Sequence, residues 1–227
     1  MKTSFSLKDK LKSIKELRRD SIFRLMQYEE LAGISDSEVN NTIKAINTKL
    51  KQIRVILNDG VIKVREESIL YCKGDIEDVE YIPRGLSFGK KIFSEFDEFD
   101  DIYPSYTGSG EMILSLSFSD FIFIELEDEE IIIKEESFWV CDGEIFVDYD
   151  GEDELLLRGS GVVIIEIPVS EAEVMRCGIN NDILKVFDDD VILRRGNINK
   201  KKLRKYIMYE GSGEVWLVPT KRIYDDI

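Results

Sequence analysis

One tripeptide, Gly-Ser-Gly, occurs three times in this chain, beginning at Gly108, Gly159 and Gly211. The copies start 51 and 52 residues apart, and an apolar run follows each copy within two residues. A period of about 50 residues, with a glycine turn and a strand in each unit, is typical of stacked β-units that share one core. The sequence therefore predicts a mainly β protein built from three internal repeats. Because glycine supplies positive φ and close backbone approach, we interpret these glycines as structural turns: Gly108, Gly110, Gly159, Gly161, Gly211 and Gly213.

A second repeated pattern lies between these tripeptides. Residues 65–74 and 134–143 share a basic residue, Glu-Glu-Ser, a cysteine and a glycine at matching positions. A looser third copy at residues 182–193 places Val186 where the first two copies have Cys72 and Cys141. Since valine replaces cysteine in this alignment, we predict that both cysteines are small buried apolar residues rather than reactive thiols.

The N-terminal part predicts a helical hairpin, assigned to residues 1–57, before a β-repeat domain at residues 58–227. A first helix is predicted from about residue 7 to residue 31. The second covers residues 35–57, with a capping box at Ser35 and Glu38 and a stop at Asn58-Asp59-Gly60. Its apolar seam would dock on the β-domain, on a second subunit or on a protein partner. The seam consists of Val39, Ile43, Ile46, Leu50, Ile53 and Leu57.

Composition restricts the class of protein. The chain has 227 residues, 43% of them apolar, and a net charge of −15, which opposes binding to nucleic acid or anionic lipid. It has three cysteines without a C-x-x-C pair, and no apolar run reaches the roughly 18 residues that span a bilayer. We therefore expect no membrane span and a cytoplasmic location. A mitochondrial location is the alternative, because the first 24 residues are rich in lysine and arginine but also contain acids.

Histidine is absent, which removes Ser-His and Cys-His nucleophile pairs and the usual zinc ligand sets. The acidic stretch from Asp148 to Glu154 does not fit the EF-hand pattern. Each Gly-Ser-Gly precedes a strand pattern, whereas phosphate-binding loops precede a helix. We therefore predict no catalytic residue, no cofactor and no metal. A carboxylate-based or metal-dependent hydrolase would need Asp148 or Asp150.

Charged connections join the β-units. Two are acidic, residues 95–101 and 148–154, and the third, residues 194–205, has seven basic residues and no acid. We hypothesise that the basic connection of one subunit faces the acidic connections of another, which would assemble the chain head to tail. Solvated turns are the other interpretation, and polyanion binding is a third. The residues concerned are Arg194, Arg195, Lys200, Lys201, Lys202, Arg204 and Lys205.

The three glycine-strand units, the Glu-Glu-Ser-x-x-x-Cys-x-Gly pattern and the stretch Gly211–Leu217 resemble the altered-inheritance-of-mitochondria family of TRAP-like (tryptophan RNA-binding attenuator-like) proteins. The resemblance covers about residues 61 to 219. It implies a TRAP-like double-stranded β-helix, a compact β-sandwich built from repeats, and no enzymatic residues. It also implies, for mitochondrial members, a link to inner-membrane organisation. We interpret the chain as a non-enzymatic homo-oligomeric scaffold or protein-binding module, with nucleic-acid or polyanion binding through residues 194–205 as the alternative.

Overall fold

The computed structural model describes residues 11–28, 49–79, 102–187, 190–221 and 223. They form a mainly β structure, a 12-stranded sheet in which every pairing is antiparallel. The mainly β prediction is confirmed. The strands are β1 (Leu11–Arg18), β2 (Ile22–Tyr28), β3 (Lys51–Val64), β4 (Ile69–Val79), β5 (Ser105–Ser117), β6 (Asp120–Lys134), β7 (Phe138–Asp142), β8 (Phe146–Tyr149), β9 (Glu154–Ile167), β10 (Met175–Val186), β11 (Val191–Lys202) and β12 (Ile207–Leu217).

Three repeat units make up the sheet from β3 onward. Each unit has a first strand, a second strand and a Gly-Ser-Gly strand, and the Gly-Ser-Gly strand pairs with both of the others. Unit 1 is β3, β4 and β5. Unit 2 is β6, then β7 with β8 as an interrupted second strand, then β9. Unit 3 is β10, β11 and β12.

The strands form because branched apolar residues line both faces of the central ones. In β9, Val162 to Ile165 are fully buried in succession, as expected for a strand covered on both faces. One core cluster is built around β6, β7 and β9, and a second around β3, β5 and β2. Unit 3 has a smaller cluster, and β10 leaves most of its side chains exposed. Unit 3 is thus the least covered of the three.

The predicted helical hairpin is wrong wherever these residues are described. Residues 11–28 form the β1–β2 hairpin, which continues the sheet because β2 pairs with β3. Ile53 and Leu57, predicted on a helical seam, lie buried in β3, and Leu50 directly precedes that strand. The predicted boundary between residues 57 and 58 falls within β3. Val39, Ile43 and Ile46, and the rest of residues 29–48, lie outside the described residues.

The Gly-Ser-Gly elements are not turns. All three lie in the middle of long strands, β5, β9 and β12. The copies in β5 and β12 pair on both sides, whereas Gly159 and Gly161 pair with β6 on one side, between the stretches of β9 that pair with β7 and β8. The stretch Asn58-Asp59-Gly60, predicted to end a helix, is a bulge inside β3. The predicted basic connection is mostly strand β11, and the acidic stretch 148–154 joins β8 to β9. The acidic stretch 95–100 and residue 101 lie outside the described residues.

The predicted third copy of the cysteine pattern is out of register. Cys72 pairs with Met112 and Cys141 with Val163, in each case two residues after a Gly-Ser-Gly. The residue that pairs at the same position of β12 is Arg194, opposite Val215, and not Val186. A charged side chain therefore replaces the cysteine.

Candidate interaction site

The serine of each Gly-Ser-Gly forms a hydrogen bond with a residue of the neighbouring first strand whose backbone conformation is left-handed. The three left-handed residues have φ of 56°, 57° and 50°, and each lies at a register shift of its strand. Asp and Asn tolerate this conformation, and a bulge increases local twist. The serine Oγ accepts the backbone N–H in all three units: Ser109 from Asp59 (3.2 Å), Ser160 from Asp128 (2.9 Å) and Ser212 from Asn181 (3.0 Å). The serines therefore stabilise the bend of the sheet.

The glycines allow the second strand to approach closely. A Cβ at Gly108 would lie 2.0 Å from the carbonyl oxygen of Asp75, and one at Gly211 would lie 2.1 Å from that of Asn197. Neither position has room for a side chain. The second strands carry a matching glycine followed two residues later by isoleucine: Gly74 and Ile76, Gly143 and Ile145, Gly196 and Ile198. This Gly-x-Ile signal marks the third unit correctly, and our sequence interpretation missed it.

The two aligned cysteines lie in different environments. Cys141 is fully buried, as predicted, whereas Cys72 is exposed on β4, contrary to the prediction. Partial burial nevertheless raises the pKa of the Cys72 thiol. The prediction failed for Cys72 because β4 pairs only with β5, while β7 is enclosed between β3 and β9.

A cluster of ion pairs joins unit 3 to unit 2 within the chain. The Arg194 guanidinium donates to Glu154 at 3.0 Å and also to Asp150, and Lys200 donates to the other oxygen of Glu154 at 2.8 Å. The Arg194 and Glu154 side chains are both 11% exposed. Pairing at such low exposure neutralises charges that would be costly to bury alone. These basic residues therefore contact acids of their own chain.

The remaining predicted basic residues divide into two groups. Arg195 pairs with Glu129, again within the chain. The other four are exposed around the β11–β12 turn and form no ion pair with the described residues: Lys201, Lys202, Arg204 and Lys205. The structure thus leaves four of the seven predicted residues available to a partner.

Asp142 is a nearly buried carboxylate at the end of β7. Its Oδ2 accepts the Val162 N–H at 2.7 Å, while no described residue donates to its Oδ1. Burial raises the pKa of Asp142 to about 6, the nearby Asp20 carboxylate adds to the rise, and Arg19 opposes it. A single carboxyl of this kind changes charge near neutral pH but defines no reaction.

Among the described strands, β1, β4, β8 and β10 each pair on one side only, and of these β4 and β10 carry more than one exposed large apolar side chain. β4 pairs only with β5, and β10 pairs only with β12, so each has one free edge among the described residues. On β4, Leu70 is 54% and Tyr71 45% exposed; on and just after β10, Ile183 is 48% and Phe187 68% exposed. Long edges of this kind are templates for pairing with another chain. These two edges are the candidate interaction site.

Within the described part of the chain, no group of three or more His, Cys, Asp and Glu side chains is placed to hold a metal ion. In the same residues, no helix is long and apolar enough to cross a membrane.

The fold and these edges define a class, a mainly β antiparallel repeat protein. No protein-family model matches the chain, and no curated protein matches it in sequence. The crystal structure of protein SPYM3_0169 from Streptococcus pyogenes is similar in fold, with a TM-score of 0.54 and 10% identity. The match covers 90% of this chain and 97% of that one. At this identity the likeness concerns the fold alone.

Proposed function

We propose that the protein is a non-enzymatic scaffold that assembles into homo-oligomers through its sheet, with the TRAP-like double-stranded β-helix as its fold. The observation that carries the proposal is the pair of free edges on β4 and β10, with their exposed apolar residues. Burying such residues against another chain is favourable by about 25 cal/mol per Å² of apolar surface.

The small core of unit 3 supports the same proposal. Seven buried apolar residues form its own cluster, and three further residues of its strands, Ile192, Leu193 and Trp216, belong to the nineteen-residue cluster around β6, β7 and β9. β10 exposes eight of its twelve residues. Because so many side chains of unit 3 are exposed, burial against a partner chain stabilises unit 3 more than it stabilises the interior unit 2.

Polyanion binding through residues 194–205 has less support. Arg194, Arg195 and Lys200 are engaged with acids of the same chain, and the body carries a net charge of −15. Four exposed residues would supply a contact that weakens steeply with salt. This alternative requires salt-sensitive binding of a single-stranded oligonucleotide that is lost on replacing Lys201 and Lys202 by glutamate.

The mass of the full chain in solution tests the scaffold proposal. We expect light scattering to give a multiple of 26.3 kDa. Salt screens interactions between charges but not contacts between apolar side chains. The mass should therefore be the same between about 0.05 M and about 1 M salt. An assembly that dissociates in salt would instead favour contacts between charged surfaces. A monomer at every salt and protein concentration would overturn the proposal.

A further inference from the structure

The repeat units are joined to one another by a recurring junction. The first strand of one unit pairs with the second strand of the next unit, on the edge that faces away from its own Gly-Ser-Gly strand. β3 pairs with β7 through Lys63 and Cys141, and β6 pairs with β11 through Ile132 and Arg194. Each junction contains three residue pairs centred on these positions.

Both junctions use the same positions of the repeat. Each of these two first-strand residues also pairs with the Gly-Ser-Gly strand of its own unit, at the residue three positions before the tripeptide. Lys63 pairs with Ser105, and Ile132 pairs with Leu156. In unit 3 the residue with this property is Lys185, which pairs with Met208. On the second strands, the position shared by Cys141 and Arg194 is occupied in unit 1 by Cys72.

The third possible junction, β10 with β4, is not made within the chain. β10 pairs only with β12 and β4 only with β5 among the described strands. We propose that this junction forms between two copies of the chain, with β10 of one copy antiparallel to β4 of the next. The register places Lys185 opposite Cys72, Leu184 opposite Lys73, and Val186 opposite Tyr71. This inference rests on the proposed scaffold function and names its interface.

The burial of the equivalent positions in the other two units supports a second copy of the chain as the partner of β4. Where the junction is made, the second-strand residues that correspond to Leu70 and Tyr71 are covered: Trp139 and Val140 are 7% and 0% exposed, and Ile192 and Leu193 are 3% and 1% exposed. Leu70 and Tyr71 are 54% and 45% exposed. The same repeat position is therefore buried when a first strand lies beside it and exposed when none does. A first strand of this same protein is the partner that fits.

The next residue pair extends the match. In the β3–β7 junction the Arg65 N–H donates to the Trp139 carbonyl oxygen at 3.0 Å, beyond the last paired strand residue. The equivalent pair in the proposed junction is Phe187 with Leu70. Phe187 is 68% exposed, the largest exposure among the exposed large apolar residues described. Two exposed apolar side chains would thus cover one another.

Disulfide formation tests the register directly. Residues opposite each other on antiparallel strands have Cα atoms about 4.5 to 5.5 Å apart, within the range that a disulfide bridges. Lys185→Cys is made in a Cys177→Ser background that keeps Cys72, and the full chain is oxidised gently. We expect covalent multiples of 26.3 kDa on a non-reducing gel, reversed by reductant and absent when Cys72→Ser is added. Lys201→Cys, exposed on β11, is the matched control and should give only a trace.

The outcomes separate this inference from the proposed function. An oligomer by light scattering without a Cys72 cross-link would overturn the register and leave the scaffold standing. If the Cys72 thiol and the thiol introduced at position 185 are both lost to oxidation while the protein keeps the mass of one chain, β4 and β10 meet within a chain. That result would also overturn the inference. A monomeric protein would overturn both. As a measurement independent of thiols, Phe187→Asp should weaken assembly at least about tenfold, whereas Phe118→Asp, 43% exposed outside both edges, should not.

Discussion

Ser212 and Asn181 are joined by two hydrogen bonds across the β10–β12 pair. Ser212 Oγ accepts the Asn181 N–H at 3.0 Å and donates to Asn181 Oδ1 at 3.1 Å. The serine of the Gly-Ser-Gly is thus the hydrogen-bond partner of both the backbone N–H and the side-chain oxygen of the left-handed residue in the bulge. The serine at this place in each unit is explained by structure, without a ligand.

Ser212→Ala should destabilise the protein by about 1 kcal/mol, the usual contribution of one intramolecular hydrogen bond. The free energy of unfolding in urea, at one protein concentration, measures it. Ser115→Ala is the control, because Ser115 is half-buried in β5 without a side-chain hydrogen bond to a described residue. Equal effects for the two variants would contradict a role for the serine hydroxyl.

Gly211→Ala should destabilise the protein by about 3 kcal/mol or more, because the new Cβ meets a carbonyl oxygen and the backbone is left-handed. The distance to Asn197 O would be 2.1 Å and φ is +138°. Gly178→Ala, in β10 of the same unit, has no atom within 4 Å of the new Cβ. We expect this control to be neutral or slightly stabilising. Thermal unfolding of both variants compares them; similar losses would show that the close approach at Gly211 is not needed.

Asp142→Asn should change how stability depends on pH. The pKa of Asp142 rises from 3.8 to about 6 on folding, so the folded chain binds this proton more tightly than the unfolded chain. The group's stabilising contribution is complete below about pH 4 and is lost as the pH rises through about 6. Asparagine keeps an acceptor for the Val162 N–H but carries no charge.

We therefore expect Asp142→Asn to gain stability over wild type as the pH rises from about 4 to about 7, by about 3 kcal/mol in all. Urea unfolding of both proteins at several pH values gives this difference, in which the other carboxylates cancel. A difference that does not vary with pH would contradict the raised pKa.

Arg194→Met should cost about 2 to 3 kcal/mol, because Glu154 then keeps only Lys200 as its partner while it remains largely buried. Adding Glu154→Gln should recover part of the loss, since the uncompensated charge is removed. Lys201→Met is the control and should change stability by less than about 0.5 kcal/mol. If Arg194→Met and Lys201→Met unfold at the same urea concentration, the ion-pair cluster is not stabilising.

The N-terminal prediction failed for a reason visible in β3. Ile53 and Leu57 are four residues apart, an even number, so they share a face in a helix and also in a strand. Val55 distinguishes the two: it lies off the predicted helical seam, yet it is fully buried beside them in β3. Branched residues at 53, 55 and 56 favour a strand. That local preference was outweighed in our interpretation by a seam that extends back to residue 39.

The third unit was predicted to exist but was placed in the wrong register. The alignment followed Val186, whereas the pairing with β12 shows that Arg194 takes the cysteine position. The Gly-x-Ile signal would have located it, because the glycine is required where two backbones approach closely. The identity of Arg194 gave no such signal, since its charge is balanced by Asp150 and Glu154, which lie 44 and 40 residues away in sequence.

The amino-acid sequence determined the repeats and their β character, because glycine spacing and branched apolar runs act locally on the backbone. Only the tertiary structure decided which strands are enclosed and which are edges. Cys72 and Cys141 share a sequence pattern, yet one is exposed and the other buried, since a neighbouring first strand covers β7 and none of those described covers β4. Burial depends on what lies beside a strand, and that is a property of long-range pairing rather than of the residues in the strand itself.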